Sequence, residues 1–355
     1  MKLLIAAGGT GGHIYPGIAV ANEIIARQPE SEVMFVGTAR GLEKRIVPEN
    51  GFQLALIHSA GLKNVGFVGK LKGMLILPNS FREAWKILRD FRPDVVVGAG
   101  GYVSGPVLLT AHFMGFPTLV MDSNALPGFT NRQLARFVDK AALTFDVSLP
   151  FFGEKGVVTG NPVRKEFFEI TSRDVSSPVK VLVFGGSQGS LAINNAVIDA
   201  LPLLRDANVE LIHQTGEANY DNVKAAYDAA GYGNADIRPY ITNMVEAFDA
   251  ADLIICRGGA TTCAEAAAAG KPAIIIPLPT AADDHQRKNA EAVVEKGAGR
   301  MILQSELTGE RIAAEIVELI GDTATLKQMG EAARTMAHPD AAKATADLIE
   351  KLDRE

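Results

Sequence analysis

The chain has 355 residues, about twice the length of an ordinary domain. Hydrophobic residues make up 47% and charged residues 21% of the sequence, a balance that excludes a disordered chain. No apolar run approaches the roughly 18 residues of a membrane span, and the short apolar N-terminus runs directly into glycines, unlike a signal peptide. Cys256 and Cys263 lack the spacing of a metal site, so we expect them to be small buried hydrophobes. These features predict two domains in the cytoplasm.

The net charge of −6 is unevenly distributed along the chain. Residues 1–164 carry 17 Lys and Arg against 12 Asp and Glu, whereas the remainder carries 18 against 29. Residues 61–92 supply the basic excess and interleave it with apolar side chains, including Trp85, the only tryptophan. Such a segment suits an anionic membrane surface, although a solvated helix face over a core stripe has the same composition. The acidic chain as a whole disfavours nucleic acid as a partner.

One unit recurs in chain order: an apolar strand, a glycine-rich turn and a helix. It occupies 2–26, 93–115, 179–201 and 251–270. Strands that alternate with helices predict parallel sheets with ligand sites at the carboxyl ends of the strands. Two units in each half therefore predict an α/β protein with two doubly wound domains that face one another.

The boundary between these domains is expected at 159–180, where Pro162 precedes a polar Ser, Asp and Pro stretch. Towards the end of the chain, 307–322 has the pattern of an amphipathic helix and 343–355 that of a final helix. His338 and Pro339 are expected to break the chain between them.

The four glycine turns favour an anion such as a phosphate, because backbone N–H groups and a helix dipole converge where each strand passes into a helix. None completes the dinucleotide-binding fingerprint, since Ile14 and Val103 stand where its third glycine belongs. Pro272 after Gly270-Lys271 rules out a regular P-loop. A nicotinamide or P-loop enzyme therefore remains only as an irregular alternative.

Residues 185–189 also fit the nucleophile elbow of hydrolases, with Ser187 as the nucleophile. Asp249 or Asp252 and then His285 would complete a triad in the usual chain order. A hydrolase leaves the other three glycine turns unexplained, and a Ser187 hydroxyl that donates to a phosphate is the simpler interpretation.

His13 is a candidate general base, because it ends the first glycine turn at a helix N-terminus, where the dipole favours the neutral ring. A cluster of polar residues at 283–289 follows an apolar strand and includes His285, Gln286 and Asn289. Glu265 lies early in a helix, where its carboxylate could accept hydrogen bonds from a ribose or simply complement the dipole.

Eight segments, in order along nearly the whole chain, resemble the MurG family of glycosyltransferases. They are GGTGGHIYP (8–16), GAGGYVSGP (98–106), NALPGFTNR (124–132), TGNPVR (159–164), GGSQGS (185–190), CRGGATTCAE (256–265) and AGKPAIIIPLP with HQRKNA (285–290). The resemblance implies an inverting transfer of N-acetylglucosamine from UDP-GlcNAc to the 4-hydroxyl of a muramyl-pentapeptide undecaprenyl-pyrophosphate lipid, in peptidoglycan synthesis. It also implies a GT-B fold, two Rossmann-like domains around a central cleft, and no required cofactor or metal.

The resemblance further implies the division of labour between the domains. Residues 1–163, with a C-terminal helix at about 340–355 packed back on them, would face the membrane and the acceptor, and 164–339 would bind UDP-GlcNAc. The acceptor's pyrophosphate would contact Gly100, Gly101 and Tyr102. The donor would contact the following residues: Thr10, Gly11, Gly12, Asn124, Arg164, Ser187, Tyr240, Ile241, Ala260, Thr261, Thr262, Cys263, Ala264, Glu265 and Gln286.

Among these donor contacts, Ile241 would bind uracil through its backbone, Glu265 the ribose, and Ser187 the diphosphate. His13 would take the acceptor's proton, with Asp122 as a possible support. The protein would be peripheral at the cytoplasmic face of the cell membrane, docked through 61–92, with other cell-wall synthesis proteins as possible partners.

Two departures from the family pattern stand out. The family usually has His-Glu-Gln-Asn where this chain has Met121-Asp122-Ser123-Asn124, so the carboxylate is one methylene shorter and the His and Gln are absent. Gly258 stands where a serine is common.

A 2-epimerase of the same fold and a non-catalytic UDP-sugar sensor are alternatives that an acceptor-dependent assay would separate from the transferase.

Overall fold

The computed structural model describes residues 1–9, 11–39, 41–59, 67–233 and 235–354, with the backbone alone over 67–75. The chain divides into two compact units. Unit 1 consists of Met1–Val163 together with His338–Glu355, and unit 2 consists of Arg164–Ala337.

Unit 1 contains a parallel sheet of seven strands in the order β3-β2-β1-β4-β5-β6-β7. The strands are β1 (Lys2–Ala7), β2 (Glu32–Gly37), β3 (Gln53–Leu56), β4 (Val95–Gly100), β5 (Thr118–Asp122), β6 (Lys140–Leu143) and β7 (Gly156–Val158). The helices are α1 (Gly11–Arg27), α2 (Glu43–Glu49), α3 (Phe67–Phe91), α4 (Ser104–Phe113), α5 (Phe129–Leu134) and, from the end of the chain, α13 (Ala341–Arg354).

Unit 2 repeats this plan with six parallel strands in the order β10-β9-β8-β11-β12-β13. The strands are β8 (Val179–Phe184), β9 (Val209–Gln214), β10 (Asp236–Arg238), β11 (Leu253–Cys256), β12 (Ala273–Ile275) and β13 (Gly299–Met301). The helices are α6 (Leu191–Ala200), α7 (Tyr220–Ala229), α8 (Met244–Ala250), α9 (Ala260–Ala269), α10 (His285–Glu295), α11 (Gly309–Gly321) and α12 (Thr323–Thr335).

The central strands are buried on both faces, which explains their continuous apolar sequences. Residues 3–7 of β1 and all of β4 and β11 are buried, and helices cover both sides of each sheet. The strand order reverses between β1 and β4 in unit 1 and between β8 and β11 in unit 2. These are the two switch points at which doubly wound folds bind ligands, and the four glycine turns follow those four strands. The predicted fold class of each unit is confirmed.

The C-terminal helix α13 returns to unit 1 and packs against α1. Arg27 at the end of α1 contacts Asp347 (2.5 Å) and Glu350 (3.4 Å), and it donates to the carbonyl of Lys343. Ile349 and Leu352 are buried in the core that β1, β4 and α1 also form. The last 14 helical residues therefore belong to the fold of the first unit.

The predicted amphipathic helix near the end corresponds to α11, but α12 was not predicted. Asp322 begins α12 by accepting a hydrogen bond from the amide of Thr325, and Leu326, Met329 and Ala333 form its buried stripe. Three apolar positions among small and charged residues made this stripe easy to overlook. Across the described part of the chain, no helix is both long enough and apolar enough to cross a membrane.

Candidate functional site

In unit 1, His13 lies in the first turn of α1, next to the two glycine turns of the switch point. Its Nδ1 is 3.1 Å from the carbonyl oxygen of Gly8. Because a carbonyl can only accept, Nδ1 carries the proton and Nε2 carries the lone pair of the neutral ring. The ring is therefore held in the tautomer that a general base at Nε2 requires.

The turn after β4 fits against His13 only because it consists of glycines. A Cβ on Gly100 would lie 2.4 Å from Cδ2 of His13, and one on Gly101 would lie 2.3 Å from the carbonyl oxygen of Gly8. Both residues have positive φ, at 121° and 82°. The close approach sets the imidazole directly against the turn that was predicted to receive the acceptor's pyrophosphate.

The same turn is braced from within. The Ser104 hydroxyl lies 3.1 Å from the amide of Gly100 and 2.9 Å from its carbonyl, and Ser59 donates to the carbonyl of Tyr102. The Tyr102 side chain is 58% exposed. Of the predicted acceptor residues, Gly100 therefore has its amide engaged inside the protein, and Tyr102 presents its ring outward.

Asp122 is buried at the end of β5, where its carboxylate organises the turn that follows. Oδ1 accepts from the amide of Asn124 (2.9 Å), and Oδ2 accepts from the amide of Gly128 (2.9 Å) and from Nδ2 of Asn131 (2.8 Å). Burial raises the pKa of Asp122, whereas these hydrogen bonds, and the positive charge of His13 when its ring is protonated, act in the opposite direction. The geometry makes Asp122 a support for the 124–131 turn.

In unit 2, the turns after β8 and β11 border one cavity of about 580 Å³. Residues from both turns, from α9 and from α10 line it together with Gln304, among them Gly186, Gly189, Arg257, Thr262 and Gln286. Ser187 is exposed in the first of these turns. The cavity therefore brings Thr262 and Gln286, two of the predicted donor residues, to one place.

Arg257, for which no role was predicted from the sequence, supplies positive charge to this cavity. Its guanidinium donates to the hydroxyl of Ser190 (2.6 Å), to Oε1 of Gln304 (2.8 Å) and to the carbonyls of Ile276 and Pro277. Burial lowers the pKa of Arg257 but leaves it a cation at any physiological pH. The cation and the glycine turns together form a strongly anion-attracting surface.

Gln214, at the carboxyl end of β9, joins two of the predicted donor contacts and was also missed. Its Nε2 donates to the carbonyl of Gly186 (2.9 Å), and its Oε1 accepts from the amide of Ile241 (2.8 Å). Ile241 is buried and Tyr240 is 56% exposed. The Ile241 amide therefore already has a partner inside the protein. The position of Gln214 at a strand end was the signal that could have identified it.

Glu265 lies in α9 and is paired with Arg164, whose Nη2 is 3.8 Å from its Oε1. Burial raises the pKa of Glu265 to about 7, while the charge of Arg164 lowers it. Arg164 also covers the ring of Phe167, with its guanidinium carbon 4.9 Å from the ring centroid. The structure thus brings together two residues that the sequence assigned separately to the donor.

The start of α9 and the start of α10 are tied to each other. Asn289 is buried and donates to the carbonyl of Gly258 (3.0 Å), and Oε1 of Gln286 accepts from the amide of Leu278 (3.0 Å). A contact from Gln286 to a sugar hydroxyl would therefore use its NH₂ group. Cys263 is buried, so only its backbone could contact a ligand, and burial raises the pKa of both thiols, as expected for inert cysteines.

The hydrolase alternative fails on geometry within unit 2. Asp249 and Asp252 precede β11 at its amino end, and Asp252 contacts Ser176 and the amide of Lys180. Ser187 follows the carboxyl end of β8, a parallel neighbour of β11, so the serine and these aspartates lie at opposite edges of the sheet. His285 directs Nδ1 to the carbonyl of Ala282. These residues do not form a triad.

The remaining predicted residues occupy turns and helix starts. Gly11 and Gly12 open α1, Ala260, Thr261, Thr262 and Ala264 belong to the first turns of α9, and Asn124 lies in the turn that Asp122 organises. Thr10 lies outside the described residues, as do the side chains of 67–75 and all of 60–66 in the basic segment.

Comparison with known proteins defines the class. Residues 3–143 match the glycosyltransferase family 28 N-terminal domain, and residues 180–345 match the family 28 C-terminal domain. Together they span most of the chain, which is therefore a family 28 glycosyltransferase with a GT-B fold.

The relatives are more specific. The chain is 47% identical over 350 residues to the UDP-N-acetylglucosamine--N-acetylmuramyl-(pentapeptide) pyrophosphoryl-undecaprenol N-acetylglucosamine transferase of Citrifermentans bemidjiense, with 97% of this chain and 98% of that protein covered. It is 46% identical to the enzyme of the same name from Geobacter sulfurreducens, with 98% and 97% covered. The crystal structure of Acinetobacter baumannii MurG superposes with a TM-score of 0.83 at 33% identity and 99% coverage of both chains. The chain belongs to the MurG family.

A Neisseria meningitidis UDP-GlcNAc 2-epimerase bound to UDP-GlcNAc also superposes, with a TM-score of 0.72 and 99% and 100% of the two chains covered. Its identity is 15%, so this likeness reflects the fold alone.

Proposed function

We propose that this enzyme transfers N-acetylglucosamine from UDP-GlcNAc to the muramyl-pentapeptide pyrophosphoryl-undecaprenol lipid, as the names of its relatives state for them. The observation that carries the proposal is 46–47% identity over nearly the full length of enzymes with that name. The alternative, a UDP-GlcNAc 2-epimerase, shares only the fold with this chain.

Unit 2 is proposed to bind the donor. Arg257, the turn at 185–190 and the N-terminus of α9 border one cavity and would hold the diphosphate, because backbone amides, a helix dipole and a cation converge there. The backbone of Ile241 would contact uracil, and Glu265 would accept hydrogen bonds from the ribose hydroxyls.

Unit 1 is proposed to bind the acceptor and to supply the base. His13 Nε2 would remove the proton from the acceptor's 4-hydroxyl as the oxygen attacks the anomeric carbon of the donor. The bond from that carbon to the β-phosphate oxygen would break, with inversion, and UDP would leave with the electron pair, stabilised by the cations and amides of unit 2.

Membrane contact through α3 is a further part of the proposal. Arg82, Trp85, Lys86 and Arg89 are exposed at helical spacing on one face, while Ala84 and Leu88 are buried on the other. The Arg89 guanidinium lies 4.7 Å from the Trp85 ring centroid. A basic face that carries an exposed tryptophan suits an anionic lipid surface, where each cation contributes about 1 kcal/mol. The cytoplasmic face of the membrane is the proposed location.

Release of UDP from UDP-GlcNAc, measured with and without a lipid-linked muramyl-pentapeptide analogue, tests the proposed reaction. We expect release only when the acceptor is present, together with the appearance of the disaccharide product. Conversion of UDP-GlcNAc without acceptor would support a 2-epimerase, and tight donor binding without turnover under either condition would reject the transferase.

A further inference from the structure

Glu43 is a fully buried carboxylate with no role in the function proposed above. It is the first residue of α2 and is 0% exposed. Its Oε1 accepts from the amide (2.7 Å) and the hydroxyl (2.8 Å) of Thr38, and its Oε2 accepts from the amide of Gly9 (3.0 Å). All three partners are donors, which suits an ionised carboxylate.

The contact with Gly9 links Glu43 to His13 through a single peptide group. The amide N–H of Gly9 and the carbonyl of Gly8 belong to the same peptide unit, so its N–H donates to Glu43 while its oxygen accepts from His13 Nδ1 at 3.1 Å. An amide that donates to a carboxylate becomes a stronger acceptor at its oxygen, because successive hydrogen bonds polarise one another in a dry interior.

The surroundings hold this arrangement in place. A Cβ on Gly37 would lie 2.4 Å from Cγ of Glu43, and one on Gly41 would lie 1.9 Å from its Oε2, so the side chain fills its site closely. The amide of Leu42 also donates to the carbonyl of Gly9 at 3.4 Å. The first glycine turn is thus fixed to the start of α2 on both sides of Gly9.

The geometry points to Glu43 as a positioning residue that acts on His13 through the Gly8–Gly9 peptide group. In a serine-protease triad the carboxylate contacts the imidazole directly and stabilises its protonated form. Here the Gly8–Gly9 peptide group lies between the carboxylate and the imidazole, and its polarisation transmits the stabilisation to the ring. Glu43 would fix the tautomer of His13 and stabilise the imidazolium that forms when His13 takes the acceptor's proton. This inference rests on the proposed role of His13 as the base.

Other charges also face His13 and its helix. Asp122 interacts with His13 electrostatically, although its oxygens are bonded within its own turn. Asp347 and Glu350 of α13 contact α1 at Arg27, its opposite end. Glu43 differs from them in its hydrogen-bonded connection to the ring.

The test is Glu43→Gln, which keeps the size of the side chain but removes its charge and sets an NH₂ group against a donor. We expect kcat to fall about tenfold, as for loss of an orienting partner behind a functional ligand. The acidic limb of the pH–rate profile should move down by about half a pH unit or more, because the imidazolium loses a stabilising charge. KM for UDP-GlcNAc should stay within about twofold, since uniform binding is unaffected.

Two further variants separate this role from plain stabilisation. Glu43→Asp retains the charge and should restore the acidic limb most of the way towards the wild-type position. Asp139→Asn is the matched control, since Asp139 likewise accepts from the amide and hydroxyl of a threonine, Thr118, elsewhere in unit 1. It should lower the melting temperature without moving the limb. A limb that stays in place in Glu43→Gln, with only the melting temperature reduced, would overturn the inference.

A readout without turnover keeps the inference distinguishable from the proposed function. In the ligand-free protein, an NMR titration of the His13 nitrogens should give a lower pKa in Glu43→Gln than in wild type, and equal values would overturn the inference. If that variant does not fold, the Gly9 amide nitrogen and Gly8 carbonyl carbon of the wild type should shift together as His13 titrates, and constant shifts would overturn it. Failure of wild-type transfer would reject the transferase but leave this coupling intact.

Discussion

His13 is positioned by backbone groups that its own glycine turn supplies. The Gly8 carbonyl fixes the proton on Nδ1, and the absence of side chains at Gly100 and Gly101 lets the second turn reach the ring. The ring is held in one tautomer next to two glycine-rich turns that hydrogen bonds fix in place. Such a ring is suited to proton transfer, since little reorganisation is needed at the moment of reaction.

Replacement of His13 by Ala should therefore reduce kcat by about 10²–10⁴-fold, the usual contribution of a general base. UDP binding, measured by calorimetry, should change little, because the residues proposed to contact uracil, ribose and diphosphate lie in unit 2. His112→Ala is the control. It removes a histidine near the C-terminus of α4, the end of that helix away from the Gly100–Gly101 turn, and should keep near-normal kcat. Near-normal turnover of the His13 variant would remove it from the role of base.

Glu265 leads to a prediction about pH. Burial raises the pKa of Glu265 to about 7, so the free protein holds a mixture of acid and carboxylate near neutrality. If the ribose hydroxyls donate to the carboxylate, donor binding favours the ionised form, and KM for UDP-GlcNAc should fall as pH rises through about 7 and then level off.

Glu265→Gln should raise KM by about 10-fold or more, because hydrogen bonds to a charged group contribute about 1.5–3 kcal/mol. It should also abolish the pH dependence of KM. Glu246→Gln, on the exposed surface of α8, serves as the control. A pH-dependent KM that persists in Glu265→Gln would assign the titration to another group.

At the scale of elements, α3 combines a core-facing stripe with a basic outer face. Its described part buries Ala84 and Leu88 and exposes Trp85, Lys86 and Arg89. An ordinary surface helix would pack the same apolar stripe against the core. The composition of the outer face is therefore what distinguishes a membrane-docking helix from a solvated one.

Neutralisation of Lys86 and Arg89 to Gln should weaken binding to vesicles that contain anionic phospholipid by about 10-fold or more, at roughly 1 kcal/mol for each cation. Sedimentation with vesicles at low and high salt measures the change, and salt should reduce the difference by screening. Lys224→Gln with Lys296→Gln removes two exposed cations from unit 2 and should leave binding unchanged. If both double variants bind the vesicles equally well, the outer face of α3 is an ordinary solvated surface.

Unit 1 combines residues 1–163 with the C-terminal helix α13, which follows unit 2 along the chain. Ile349 and Leu352 of α13 are buried against the core of unit 1, 0% and 4% exposed, and Arg27 ties α1 to α13 by two ion pairs. The hydrophobic core of unit 1 therefore includes side chains of α13.

Truncation after residue 340 should lower the stability of unit 1 by several kcal/mol, since full burial of one such side chain contributes about 1.5–3 kcal/mol. Calorimetry should show a loss or a downward shift of the transition that belongs to unit 1, while unit 2, which ends at Ala337, keeps its own. Ile349→Ala with Leu352→Ala should give a smaller shift in the same direction. An unchanged calorimetric trace after truncation would contradict the role of α13.

Features that depend on neighbours along the chain could be predicted from the amino-acid sequence. Buried parallel strands need continuous apolar runs, and a strand that passes into a helix beside a ligand needs glycines, so the two doubly wound units and their four turns were predictable. The segments from 8–16 to 285–290 sufficed to indicate the MurG family, and the helix at the end of the chain was predicted from its amphipathic pattern.

Which polar side chains contact each other could not be predicted, because it depends on the folding of distant segments onto one another. Glu43 lies 34 residues from Gly9 in a segment that reads as an ordinary helix start, and nothing local shows that its carboxylate is buried beneath the first turn. The sequence permitted a triad of Ser187 with Asp252, but parallel pairing of β8 with β11 places them at opposite sheet edges. Such relations depend on strand order and long-range packing, because a hydrogen bond forms between neighbours in space, wherever they stand in the chain.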